Sequence, residues 1–125
     1  MKNKKDLISI IINCYNGEKY LARSIKSVIN QSDKNWEIIF WDNKSTDNSF
    51  KILNKFKDKI IKYFLSPKHE KLYNARNSAI KKAKGKFIAF LDTDDTWKRN
   101  KLNLQINHLK KTKSDICFTN YLINK

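Results

Sequence analysis

The chain has 125 residues, 40 % of them apolar, and a formal net charge of +15. That is one domain's worth of sequence with enough apolar content for a core, which excludes an extended disordered tail. No apolar run approaches the roughly 20 residues of a bilayer span, and the stretch after the basic start Met1–Lys5 is too short for a secretory leader, so the cytoplasm is the expected location. Lysine supplies most of the charge, with arginine only at Arg23, Arg76 and Arg99. Bidentate base reading relies on arginine, so this composition argues only weakly for a nucleic-acid reader. A basic module for nucleic acid or a membrane surface is kept as an alternative, since the charge attracts any anionic partner. Cys14 and Cys117 lack a CxxC partner and read as small core residues rather than a disulfide framework or a zinc site.

In chain order, Leu7–Ile12 is a continuous β-branched run, as expected of a strand buried on both faces. From Glu18 to Gln31, the residues Leu21, Ile25, Val28 and Ile29 form one helical stripe. Trp36–Trp41 is a second strand ending at Asp42, and Ser45-Thr46-Asp47 offers N-caps for a short helix through Ile52, Leu53 and Phe56. A third strand, Ile60–Leu65, is closed by Pro67. The next helix carries Leu72, Ala75, Ala79, Ile80 and Ala83 on one face and stops before Gly85, read as its C′ residue. Phe87–Leu91 is an apolar strand that runs into Asp92-Thr93-Asp94-Asp95. Arg99–Lys111 is amphipathic through Leu102, Ile106 and Leu109, and Asp115–Thr119 reads as a final strand.

Strand–helix alternation with short connections predicts an α/β domain, a mostly parallel sheet with helices on both faces. Ligands of such sheets lie beyond the carboxyl ends of the strands. The polar groups at positions 13–16, 42–47 and 92–95 each follow a strand there and converge on one edge. Gly17 and Gly85 are the only glycines, which excludes both a GxGxxG dinucleotide loop and a Walker loop. Asp92, Asp94 and Asp95 repel one another unless a cation neutralises them, and a hard divalent ion, Mn²⁺ or Mg²⁺, suits such a carboxylate set. The bland alternative is a solvated acidic turn capping the following helix. Asp92-Thr93-Asp94-Asp95-Thr96 also fits the DxDxT of haloacid-dehalogenase-like phosphatases, although there the motif normally sits on the first strand.

Four stretches carry a more specific resemblance. They are Ile10-Ile11-Ile12-Asn13-Cys14-Tyr15-Asn16; Tyr20-Leu21 with Ser27–Gln31; Trp41-Asp42-Asn43-Lys44-Ser45-Thr46-Asp47; and Ala75-Arg76-Asn77 followed by Gly85 and Phe90–Asp95. In this order they resemble the N-terminal, donor-binding portion of family 2 glycosyltransferases, over nearly everything from Leu7 to Tyr121. The resemblance implies a GT-A (Rossmann-like) fold and inverting transfer from a nucleoside-diphosphate sugar to a glycan or lipid-linked acceptor. A UDP-sugar is slightly favoured. By the same resemblance Cys14, Tyr15, Asn16, Asp42, Asn43, Arg76 and Asp94 would line the donor nucleotide, with Tyr15 against the base. Asp95 would ligate the metal, Asp94 the ribose or the metal, and Asp92 would support them. Asn13 stands where proline is common and Lys44 where glycine is frequent, both loop-shape positions. Polysaccharide or lipopolysaccharide assembly, at the inner face of the membrane, is the family-level expectation. The 125 residues would form a single nucleotide-sugar-binding domain that stops before the acceptor-binding half, which in this family supplies the general base.

Overall fold

The structure, a computed structural model, describes residues 4–56 and 60–123; Met1–Asn3 of the basic start lies outside them. Four strands, β1 (Ile8–Cys14), β2 (Trp36–Asp42), β3 (Ile61–Leu65) and β4 (Phe87–Phe90), form one sheet in the order β3-β2-β1-β4. Every pairing is parallel, with Ile8 opposite both Trp36 and Phe87, and Asp42 opposite Cys14 and Leu65. The helices are α1 (Leu21–Ile29), α2 (Ser49–Leu53), α3 (Leu72–Ile80) and α4 (Lys101–Thr112).

The alternation of a strand sends successive side chains to opposite faces, so β1 serves two cores at once. Ile8, Ile10, Ile12 and Cys14 face Leu21, Ile25 and Val28 of α1, Leu53 of α2, and Leu102 and Ile106 of α4. Ile11 faces the other way, with Ile39 and Trp41, against Ala75 and Ala79 of α3. Helices therefore cover both faces, as the alternation predicted. Each fully buried isoleucine contributes on the order of 1.5–3 kcal/mol.

Several expectations need correction. α1 begins at Leu21, after a turn in which the Tyr20 and Leu21 amides both donate to the Gly17 carbonyl. On α3 only the small Ala75 and Ala79 are buried, while Leu72 and Ile80 are exposed. Two alanines let the helix lie close to the sheet; Ile80, 100° around the helix from Ala79, then points outward, while Leu72 stands on the alanine face but as the first residue of α3, at the helix end. Asp115–Thr119 is not a strand; Ile116 and Phe118 are exposed. A strand needs a partner, and this segment lies against α4 instead, where Lys101 Nζ donates to Thr119 Oγ1 at 3.3 Å and Gln105 Nε2 to the Cys117 carbonyl at 3.4 Å. Cys117 is accordingly not a core residue.

Gly85 is not a C′ residue either: α3 ends at Ile80, and Gly85 has no positive φ. Its role is close approach. A Cβ there would stand 2.6 Å from the Leu7 carbonyl oxygen and 2.7 Å from the Ser9 nitrogen, both backbone atoms that cannot move aside. Gly85→Ala should lower stability by about 1–3 kcal/mol or more, read as a shift of the urea midpoint.

At the amino ends of the strands the Gly85 amide donates to Ser9 Oγ, which donates to Glu37 Oε1 at 2.7 Å. The Lys84 amide donates to the same carboxylate at 2.9 Å, and Lys62 Nζ pairs with its other oxygen at 2.6 Å. Burial pushes the Glu37 carboxyl up, but Lys62, Ser9 and the Lys84 amide together outweigh it and leave the pKa below its ordinary 4.5. A depressed folded-state pKa means that this contribution is complete above the unfolded value and is lost as pH falls through the folded one. Urea midpoints measured from pH 7 down to pH 3 should fall in the wild type. In Glu37→Gln the midpoint should start lower at pH 7 and fall less steeply.

Candidate functional site

All strands being parallel, the loops after β1, β2 and β4 leave the sheet at the same edge. The first two are tied together. The Asn16 amide donates to Ser45 Oγ at 3.0 Å, and Asn16 Oδ1 accepts from the Thr46 amide at 2.7 Å. The Gly17 amide donates to Ser49 Oγ, the Glu18 amide to Asp47 Oδ2, and the Asn48 amide to Glu18 Oε2. Asn16 and Lys44 hold positive φ of 51° and 64°. Asparagine tolerates the left-handed region; at Lys44 the glycine-like geometry is imposed by the loop.

The two acids of the β2 loop are turned inward. Asp42 is buried, its Oδ1 accepting from the Ser45 amide at 2.8 Å and its Oδ2 from the Tyr63 hydroxyl at 2.8 Å. Burial, then the Asp42 carboxylate, raises the Tyr63 pKa, so this hydroxyl stays protonated and donates. Asp47 Oδ1 accepts from the Ser49 amide at 2.9 Å, a cap supplied from one residue before the Asn48 N-cap. Burial raises the Asp47 pKa, but the Ser49 hydroxyl and the surrounding amides bring it below the ordinary value.

Asn43 is also buried. Its Nδ2 donates to the Glu70 carbonyl at 2.7 Å, its Oδ1 accepts from the Glu70 amide at 2.8 Å, and its own carbonyl lies 3.0 Å from His69 Nδ1. The amide thus fastens residues 69–70 beside the β1 loop, where the His69 ring lies 4.3 Å from the half-exposed Tyr15 ring. Cys14 is buried under this turn, with its Sγ 3.8 Å from Ser45 Oγ and its pKa raised by burial.

The acids after β4 are arranged oppositely. Asp92, Asp94 and Asp95 are exposed, and one carboxylate oxygen of each lies within 4.8 Å of the others. Arg76 Nη2 sits 3.3 Å from Asp92 Oδ1, with its guanidinium 5.7 Å from the Phe90 ring centre. Both partners are solvated, so the pair contributes little to stability; it marks where Arg76 stands. Among the described residues the Asp94 and Asp95 carboxylates have no ion-pair partner. Burial, then Asp94 and Asp92, pushes the Asp95 pKa up. Three acids this close, one of them held back from ionising, are a set that a hard divalent cation fits.

The sequence alone did not single out Ser24, which holds this acidic loop. It is fully buried on α1, with its hydroxyl at 2.7 Å from the Thr93 carbonyl and close to that of Asp95 as well. Its trace in the sequence is a hydroxyl on an otherwise apolar stripe, between Leu21 and Ile25. Gly17 packs against the same loop, where a Cβ would come within 3.0 Å of Thr93 Oγ1. Ser24→Ala should cost about 1–3 kcal/mol by orphaning these carbonyls, measurable by denaturant unfolding.

The family model described as glycosyl transferase family 2 matches residues 9–125. The chain is 43 % identical over 118 residues to the Escherichia coli UDP-Glc:alpha-D-GlcNAc-diphosphoundecaprenol beta-1,3-glucosyltransferase WfgD, covering 94 % of this chain and 46 % of that protein. It is 40 % identical over 120 residues to WfaP, described by the same activity in the same organism, covering 96 % of this chain and 48 % of that protein. It thus spans about half the length of these curated relatives. Among solved structures, S. aureus TarS superposes with a TM-score of 0.81 at 28 % identity, over 92 % of this chain and 34 % of that one. TarS has also been solved with UDP and with UDP-GlcNAc.

Proposed function

Because the chain belongs to glycosyl transferase family 2, a GT-A α/β domain, we propose that its strand-end site binds a nucleoside-diphosphate sugar together with Mn²⁺ or Mg²⁺. The observation that carries this reading is the contrast between acids at one edge: Asp42 and Asp47 spend their oxygens on internal donors, whereas Asp92, Asp94 and Asp95 face solvent and one another. Asp95 and Asp94 are the ligands in this reading. Asp92, held by Arg76, steadies them, and Arg76 adds positive charge near the diphosphate. Bound there, the metal would stabilise negative charge on the departing nucleoside diphosphate.

Tyr15, with an open ring beside His69, offers a flat face to the base. Asn16, Asp42, Asn43 and Cys14 contribute by shaping the turns on which that face rests. A UDP-sugar is the favoured donor, because the E. coli relatives are named for UDP-Glc and TarS has been solved with UDP and UDP-GlcNAc. Transfer with inversion to a glycan or lipid-linked acceptor, at the inner face of the membrane, belongs to the whole protein and calls for a general base to deprotonate the acceptor hydroxyl. No helix among the described residues is long and apolar enough to cross a membrane.

Calorimetry with UDP, GDP and dTDP, with and without Mn²⁺, tests the reading. UDP should bind only when metal is present, and Asp95→Ala should lose the metal-dependent part. The raised Asp95 pKa makes protons compete with metal, so Mn²⁺ affinity should fall as pH drops through that value, and less steeply in Asp95→Asn. Unchanged metal-dependent UDP binding in Asp95→Ala would overturn the assignment.

A further inference from the structure

A cleft of about 650 Å³ opens between α1 and the segment that leads from the acidic loop into α4. Four cations line it: Arg23 and Lys26 from α1, Lys34 from the following turn, and Arg99. No carboxylate lines it; the rest of the wall is neutral hydrogen-bonding side chains and the Trp97 ring. Among the described residues Arg23, Lys26 and Arg99 take part in no ion pair. Two of the cations are held in place: Arg23 donates to the Asp94 carbonyl at 3.4 Å with its guanidinium 5.0 Å from the Tyr20 ring centre, and Lys34 Nζ donates to the Ile29 carbonyl at 2.6 Å.

Like charges gathered in a concavity raise one another's energy, and an anion that enters relieves all of them together. Arginine and lysine with neutral hydroxyl and amide donors are the usual equipment for a phosphate, because they satisfy several oxygens at once. The cleft shares no lining residue with the acidic triad, yet Arg23 touches both. We infer that this basic cleft is a second anion site, one that binds the phosphate or diphosphate of a ligand other than the sugar donor.

The test uses the 125-residue chain in EDTA, so that no metal bridges the probe to the acids. Inorganic pyrophosphate is titrated at constant ionic strength while amide shifts are followed by NMR. Saturable shifts are expected around residues 23–30 and 96–99. The double variant Lys26→Ala/Arg99→Ala, with its spectrum still dispersed, should bind about tenfold more weakly or worse. Lys51→Ala/Lys68→Ala removes the same charge elsewhere on the surface and should bind like wild type. Equal weakening in both double variants, or shifts that never saturate, would overturn the proposal in favour of diffuse attraction.

Co-sedimentation with phosphatidylglycerol and phosphatidylcholine vesicles separates the sources. Pelleting with the anionic vesicles only, competed by pyrophosphate and lost in the cleft variant, identifies a lipid headgroup. Saturable pyrophosphate binding without pelleting identifies a soluble phosphate ester. Metal-dependent UDP binding, measured in parallel, should survive in the cleft variant; its absence from the wild type would count against the donor site alone.

Discussion

Strand β1 has a neighbour on each side and helices over both faces, so from Ile8 to Ile11 its peptide groups are flanked by a strand on both edges and cannot turn to water. Everything else in the domain is compatible with that condition. Its ladder to β2 runs the full seven residues from Ile8 to Cys14, and its ladder to β4 is held close by the absence of a side chain at Gly85. Parallel pairing then aligns the carboxyl ends of all the strands, and the polar loops have one edge on which to emerge. The position of the site follows from the satisfaction of one buried backbone.

At that edge the loops are satisfied largely by one another. The β1 and β2 loops exchange side-chain and backbone hydrogen bonds, α1 reaches across to the β4 loop through Ser24, and Asn43 secures residues 69–70. This mutual arrangement consumes the acids that serve structure and leaves a separate group whose one ion-pair partner among the described residues is Arg76. Two electrostatic regions result, the acidic triad and the basic cleft, with Arg23 against the loop between them. Family membership leaves the phosphatase reading of Asp92–Thr96 without support.

Much of the fold was legible in the sequence because its strands are β-branched or aromatic runs and its helices carry apolar stripes, signals that local patterning preserves. β1, β2 and β4 lie where those runs stand, and the edge that gathers the polar clusters is the predicted one. Partnering was illegible. Asp115–Thr119 has the composition of a strand yet no strand to pair with, and nothing local encodes that. Gly85 read as a helix stop, whereas its reason is a tight passage beside Leu7 and Ser9, distant in sequence. Asn43 looked available to a ligand, but its amide is engaged at both ends by Glu70, a contact 27 residues away. Ser24 was hidden because a small hydroxyl on an apolar helix face carries no motif; only the facing carbonyls give it meaning.

The outer side of β4 carries a further consequence. Ile88 and Phe90 are exposed on the face of β4 that shares its side of the sheet with α3, and the outward backbone groups of β4 have no neighbouring strand among the described residues. A bare border of this kind is where copies of a molecule adhere, while a surplus of fifteen positive charges drives them apart. Ionic strength weakens the repulsion and leaves the adhesion untouched, so concentrated samples of this chain keep best in dilute salt and cloud as salt is added.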